Sequence, residues 1–291
     1  MNSIKTVLLL GLLSGLLLVG GEWIGGRQGL MIGLLIAAGM NFFSYFFSDK
    51  LALMAYSAQP VTPTDMPEVY NRVAPIIQGL TQRMGLPMPK LWLIAESSPN
   101  AFATGRNPEH ASVAFTEGIL QIMNDRELEG VIAHELGHVL HRDILISSVA
   151  ATLAAAITFL ARMAFFFGGS RDEEDERGGL VGGLLMMILA PIAAMLIQMA
   201  ISRTREYSAD AASARYTGNP DELIHALRKL EQGVERVPMD DATPATAHLF
   251  ILNPFKGGGL MQMFSTHPST ADRIARLEAM RGANLTAPPL H

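Results

Sequence analysis

The sequence predicts a mainly α-helical membrane protein with four transmembrane helices and an α+β domain that contains a small antiparallel sheet. Three observations lead to that class. First, 49% of the 291 residues are hydrophobic, with 27 Gly and 17 Met, a composition too apolar for a typical soluble domain. Second, uncharged apolar runs occupy 7–21, 29–48, 144–161 and 178–201. Third, a short β-rich region and an amphipathic helix rich in His and Glu lie between the second run and the third. The chain therefore divides into an N-terminal transmembrane hairpin (1–50), the first part of the α+β domain (51–143), a second transmembrane hairpin (144–201) and the C-terminal part of that domain (202–291).

In chain order, Lys5 precedes the first apolar run, as it would in a signal peptide, but no A-x-A-like site follows and a second apolar run comes at once. An uncleaved anchor is the better reading. The 29–48 run is long enough to span a bilayer, and 22–28 is expected as the turn between two antiparallel helices. Prolines at 60, 63 and 67 mark the exit from the membrane. Asp65 and Glu68 resemble a capping box opening a helix that ends at Met84, before Gly85 and Pro87, with Val69, Val73, Ile76, Ile77 and Leu80 as its apolar face. Runs at 90–95, 101–104 and 111–115, separated by Ser-Pro-Asn and Asn-Pro-Glu turns, read as strands of an antiparallel sheet.

The helix expected over 127–141 carries His134-Glu135-Leu136-Gly137-His138. Residues four apart share a helix face, so both imidazoles can reach one metal ion while Glu135 reaches the water beside it, the arrangement of zinc hydrolases. An accidental pattern on an amphipathic helix is the competing reading. Gly137 weighs against it, because glycine inside a helix costs about 1 kcal/mol relative to alanine and needs a packing or functional reason. His141 lies roughly 10 Å along the axis from His134, too far to share a metal whose donors sit at about 2.1 Å. It suits a cationic or hydrogen-bonding role at the helix C-terminus. The chain has no cysteine, so any zinc must use imidazole and carboxylate.

The runs at 144–161 and 178–201 read as membrane helices rather than buried core, with the acidic stretch between them a solvated loop. A helix is expected to continue from 202 through Asp210 and to stop at Gly218, with another over 219–230 and a last one over 269–280. A catalytic zinc needs a third protein ligand. Glu206 is the best candidate, with Asp210 one turn further on the same face, placed to orient a ligand histidine. On continuous helices His138 and Glu206 would each lie roughly 8–9 Å from a membrane span, which puts the site close to the bilayer.

His-Glu-Leu-Gly-His, Glu206-x-x-x-Asp210, the paired apolar runs and Asn100-Ala101-Phe102-Ala103-Thr104-Gly105 together resemble the HtpX family of membrane zinc metalloproteases. More distantly the chain is similar to the CaaX prenyl endopeptidases. The resemblance implies a zincin-like metalloprotease domain holding one Zn2+ per chain on His134, His138 and Glu206, with Glu135 as the catalytic carboxylate. It also implies unfolded or damaged membrane proteins as substrates, a role in quality control and stress response, and the bacterial inner membrane as location. Asn100, Ala101, Phe102 and Ala103 would form an exposed edge strand pairing with an extended substrate, against the alternative of an ordinary hairpin strand. His267, held before Pro268, is assigned to the oxyanion, or else merely caps the last helix, and Arg273 is assigned to pairing with Asp210.

One reading from another class is a non-enzymatic membrane scaffold or sensor with a structural metal. Such sites usually close with four protein ligands, often cysteines, which counts against it. A transporter is disfavoured because no apolar run carries a central acid or histidine. A net charge of -5 gives no reason to expect nucleic-acid binding. Lys5, Lys50, Arg142, Arg203 and Arg205 on one side, against Arg27, Arg171 and Arg177 on the other, place the zinc domain in the cytoplasm.

Overall fold

Asn124 and Glu127 start the helix around which the domain is packed. The Asn124 side chain accepts from the Glu127 amide at 2.9 Å, and Glu127 Oε2 accepts from the Asn124 amide at 2.9 Å. This reciprocal capping box satisfies two amides at the N-terminal end of the helix. The computed structural model describes residues 2–146, 203–236, 250–252 and 268–282. Its helices are α1 (Asn2–Ala55), α2 (Pro67–Met84), α3 (Glu117–Ile122), α4 (Asp125–Leu140), α5 (Arg203–Thr217), α6 (Pro220–Arg236) and α7 (Thr270–Glu278). Its strands are β1 (Gln59–Pro60), β2 (Lys90–Ile94), β3 (Ala101–Gly105) and β4 (Ala111–Thr116), with a 3₁₀ turn at Pro108–His110.

The sheet is mixed rather than antiparallel, in the order β1-β2-β4-β3. β3 and β4 form the expected antiparallel pair, with Ala103 opposite Val113, but β4 then inserts beside β2 and runs parallel to it, with Trp92 opposite Ala114. The segment 95–100 is thus a crossing to the far edge and not a hairpin turn. Asn100 ends this crossing by donating its amide to Thr116 Oγ1 at 2.8 Å, and Thr116 Oγ1 in turn donates to the Asn100 carbonyl.

Two other local expectations also change. The box expected at Asp65 and Glu68 does not form: Met66 is the cap residue of α2 with no side-chain bond, and Pro67 begins the helix, where a missing amide costs nothing. Asp65 instead accepts from Thr62 Oγ1. α1 runs without a gap through the turn expected at 22–28. Gly26 within it has φ +56°, outside the right-handed helical region.

One face of the sheet, α2 and α6 enclose α4. Val73, Ile77 and Leu80 of α2, Val113 and Phe115 of β4, and Leu223, Ile224 and Leu227 of α6 are buried against Leu128, Val131, Ile132 and Leu136. The opposite face packs Ile94, Phe102 and Ala114 on Leu53 near the C-terminal end of α1. Among the described residues no helix is long and apolar enough to cross a membrane. The expected spans at 144–161 and 178–201 fall outside the described residues, apart from Ile144, Leu145 and Ile146.

Candidate active site

α4 and α5 lie close enough that a Cβ on Gly137 would be 3.1 Å from the Ala209 Cα and 3.1 Å from the Ala212 Cβ. That approach is the packing reason for a glycine within the His-Glu pattern, and it brings Glu206 and Asp210 of α5 against His134 and His138 of α4. One ligand atom from each of His134, His138 and Glu206 lies within 4.8 Å of the others. His134 Nε2 is 3.6 Å from Glu206 Oε2, and His138 Nε2 is 3.6 Å from Glu206 Oε1. Donors held tetrahedrally at about 2.1 Å from zinc stand about 3.4 Å apart, so two imidazoles and a carboxylate at these spacings fit that ion. The side chains of the three are buried or nearly so.

Behind these three side chains stands a layer of charge. Asp210 Oδ1 is 2.9 Å from His134 Nδ1, which therefore donates its proton to the carboxylate and leaves Nε2 for a metal. Arg273 is fully buried and clamps Asp210 with two bonds, Nη2 to Oδ1 at 2.6 Å and Nε to Oδ2 at 3.0 Å. Its third bond, from Nη1 to the Ile251 carbonyl at 2.8 Å, ties the 250–252 segment to the site. Burial alone would raise the Asp210 carboxyl, but the Arg273 guanidinium and His134 outweigh it and hold it below the usual carboxylate range. For His134 burial alone would lower the ring. Hydrogen bonds to Asp210 and Glu206 outweigh that and raise it to about 9, so a metal bound here must displace a proton.

Glu135 is pushed upward, chiefly by burial and with the Glu206 charge adding, against the opposing histidines and the amide of Ala103. A carboxylate with raised proton affinity is the better general base. Its Oε2 accepts the Ala103 amide of β3 at 2.9 Å. The sequence-predicted substrate strand is therefore at the sheet edge and beside the α4 carboxylate, but it is not the exposed strand expected. Phe102 points to the opposite face of the sheet, Ala101 is buried, and only Ala103 is half-buried. Asn100 is also buried, and its side chain accepts from the Ile251 amide at 3.2 Å, a role in holding the 250–252 segment.

Sequence reasoning missed Asp143. α4 ends with Arg142 in a left-handed conformation, φ +57°, while the Asp143 amide donates to the His138 carbonyl at 2.8 Å and the Arg142 amide to that of Val139 at 3.1 Å. This pair of bonds is a Schellman ending. It returns Asp143, 2% exposed, to 3.5 Å from His138 Nδ1. It also breaks the continuous helix expected between His138 and Ile144. The only signal in the sequence was a carboxylate five residues after a candidate ligand histidine. His141 occupies the C-cap, as expected of a residue near the helix C-terminus, and burial pushes its ring down, which opposes the cationic of the two roles expected there. His267 lies outside the described residues. Removing the carboxylate with Asp143→Ala is expected to weaken metal affinity about 10–100-fold while leaving the fold intact, as read by competition with a chelator. Unaltered affinity would show that His138 needs no such partner.

Comparison with known proteins bears on this arrangement. The model for peptidase family M48 matches residues 67–281, starting at the first residue of α2. A protease HtpX homolog of Desulfatibacillum aliphaticivorans is 53% identical over 291 residues, covering 99% of this chain and 92% of its own. One from Ralstonia nicotianae is 54% identical over 281 residues, covering 96% of each chain. A crystal structure of Ste24p from S. mikatae is similar at a TM-score of 0.49 and 20% identity, over 95% of this chain and 65% of that one. With its His-Glu-x-x-His helix and Glu206 brought to one point, and with relatives this similar along its whole length, the chain belongs to peptidase family M48 and is a metallopeptidase.

Proposed function

We propose that the chain is a zinc-dependent endopeptidase of the bacterial inner membrane, its metal domain facing the cytoplasm, that cleaves unfolded or damaged membrane proteins in quality control and stress response. The observation that carries the chemistry is the convergence of His134, His138 and Glu206 beside the buried carboxylate of Glu135. Family membership sets aside the scaffold reading. No described helix meets the length and apolarity of a crossing, so the membrane placement rests on how charge is distributed. Within the 54 residues of α1 only Lys5, Glu22, Arg27, Asp49 and Lys50 are charged, and Met31, Ile32, Leu34, Leu35 and Ile36 are exposed. The HtpX relatives align over these stretches as well as over the metal domain.

Zinc, when bound, supplies Lewis acidity that polarises a scissile carbonyl and acidifies a water molecule. The residues of the chain do the rest. Glu135 takes the proton of the attacking water on its carboxylate and delivers it to the nitrogen of the leaving amine. Asp210 holds His134 by its Nδ1 proton, Arg273 holds Asp210, and Asp143 faces the corresponding nitrogen of His138. A substrate strand is proposed to pair with the β3 edge at Ala103, whose amide is held by Glu135 until a substrate carbonyl takes its place. Ala103→Pro removes that donor and is expected to lower cleavage of an extended peptide more than it lowers metal content. Unchanged kinetics in the folded variant would rule out pairing there. On the resemblance alone, His267 is proposed to support the oxyanion. For His267→Ala, kcat about 10²–10³-fold lower with KM little changed is the expected result, and a normal kcat would leave His267 as structure only. The whole reading is tested by metal content together with casein cleavage by the detergent-purified chain. A chain that binds zinc but cleaves neither casein nor a membrane-protein substrate would contradict it.

A further inference from the structure

A pocket of about 330 Å³ that shares no residue with the metal centre lies where the end of α1 meets the sheet. Phe42, Phe46 and Phe47 of α1 form its aromatic side. Lys50 follows them, Lys90 comes from the first residue of β2, and Arg106 and His110 come from the turn after β3. Among these lining residues there are three fixed cations and no acid. The guanidinium of Arg106 sits 5.1 Å from the centre of the Phe46 ring, and Lys50 Nζ sits 5.1 Å from that of Phe47. Arg106 is also held from behind. Its Nη2 lies 2.7 Å from His110 Nε2, which must offer a lone pair, so the ring proton is on Nδ1, 2.7 Å from Asn107 Oδ1.

The surroundings define what such a pocket would take. Lys50 stands two residues beyond the uncharged 29–48 run, and Phe42 and Phe46 are 58% and 41% exposed on the same helix. Cations and rings at the end of an apolar helix occupy the level of lipid headgroups, where basic pockets take anionic phospholipids. The volume lies at the lower end of the roughly 300–1,000 Å³ typical of ligand pockets, which suits a headgroup and not a whole lipid. We propose that this pocket binds the phosphate-bearing headgroup of an anionic phospholipid, with the acyl chains lying along the exposed apolar side of α1. The proposal rests on the membrane placement given above, and it is independent of the peptidase chemistry.

Free phosphate offers the same chemistry without the chains, so the test separates the two. The full chain, purified in detergent, is mixed with phosphatidylglycerol or phosphatidylcholine, and retained lipid is counted by native mass spectrometry. Each cation near an anionic headgroup is worth about fivefold in affinity. The expected result is selective retention of phosphatidylglycerol, reduced roughly 20–30-fold in the Lys50→Gln, Arg106→Gln double variant, with casein cleavage unchanged. If that variant does not fold, Lys50→Gln with Lys90→Gln removes two exposed cations and leaves the Arg106 contacts in place. Equal retention of both lipids by the wild type, an unchanged preference in the folded variant, or displacement of the lipid by inorganic phosphate would each overturn the proposal. Flotation of the wild type with phosphatidylcholine vesicles gives the separate check. A chain that does not float loses the membrane placement and this site with it, whereas one that floats without headgroup preference loses only the site.

Discussion

Glu135→Gln is expected to leave a folded, metal-loaded chain whose peptidase turnover is lower by about 10²–10⁴-fold, the usual worth of a positioned general base. The substitution suits the site because glutamine keeps the shape of the side chain and an oxygen to accept the Ala103 amide, so the contact between α4 and β3 persists. What it removes is the ability to take a proton. The raised proton affinity of the native carboxyl, set chiefly by burial, is lost with it. The measurement is kcat/KM on casein or a quenched peptide, with zinc counted by elemental analysis on the same preparation. Turnover within tenfold of wild type at full zinc occupancy would remove Glu135 from the mechanism.

Replacing Glu206 with alanine should abolish activity by another route, through loss of the metal. Its two oxygens stand 3.6 Å from the ligand nitrogens of His134 and His138, and no other carboxylate joins that group among the described residues. Zinc retained at full occupancy in Glu206→Ala would mean that the third ligand is another residue. The neighbouring Asp210 gives a contrast that the structure sharpens. Asp210→Ala would take the carboxylate from His134 and leave the Arg273 guanidinium, fully buried, without its ion-pair partner. Breaking a buried pair from one side costs about 3–5 kcal/mol, so this variant should lose stability as well as metal affinity. Asp210→Asn keeps one acceptor oxygen but not the charge, so it is expected to lose less stability than Asp210→Ala. The asparagine variant is expected to fold with metal affinity weakened about 10–100-fold, as read by thermal unfolding beside chelator competition.

Features set by neighbours in sequence were legible without coordinates. His134, Glu135 and His138 meet because residues four apart share a helix face, and Glu206 with Asp210 follows the same rule on α5. The end of α2 at Gly85 and the start of α7 after Ser269 are likewise local, the second through the Ser269 side chain accepting the Asp272 amide. The pairing of Arg273 with Asp210 was legible only through family resemblance, since nothing local joins residues sixty-three apart.

Tertiary structure decided what depends on contacts between distant segments. The insertion of β4 between β2 and β3 is a choice of partner, and alternating patterns do not encode which edge a strand will join. Asn100 turns inward because the Ile251 amide is there to be satisfied, and Gly137 is glycine because Ala209 and Ala212 come within van der Waals contact of it. Asp143 reaches His138 only because α4 ends in a left-handed residue that folds the chain back on its own last turn. Periodicity along a chain states which side chains share a face. Which faces meet, and which buried charges must therefore be neutralised, is settled when the helices and the sheet close on one another.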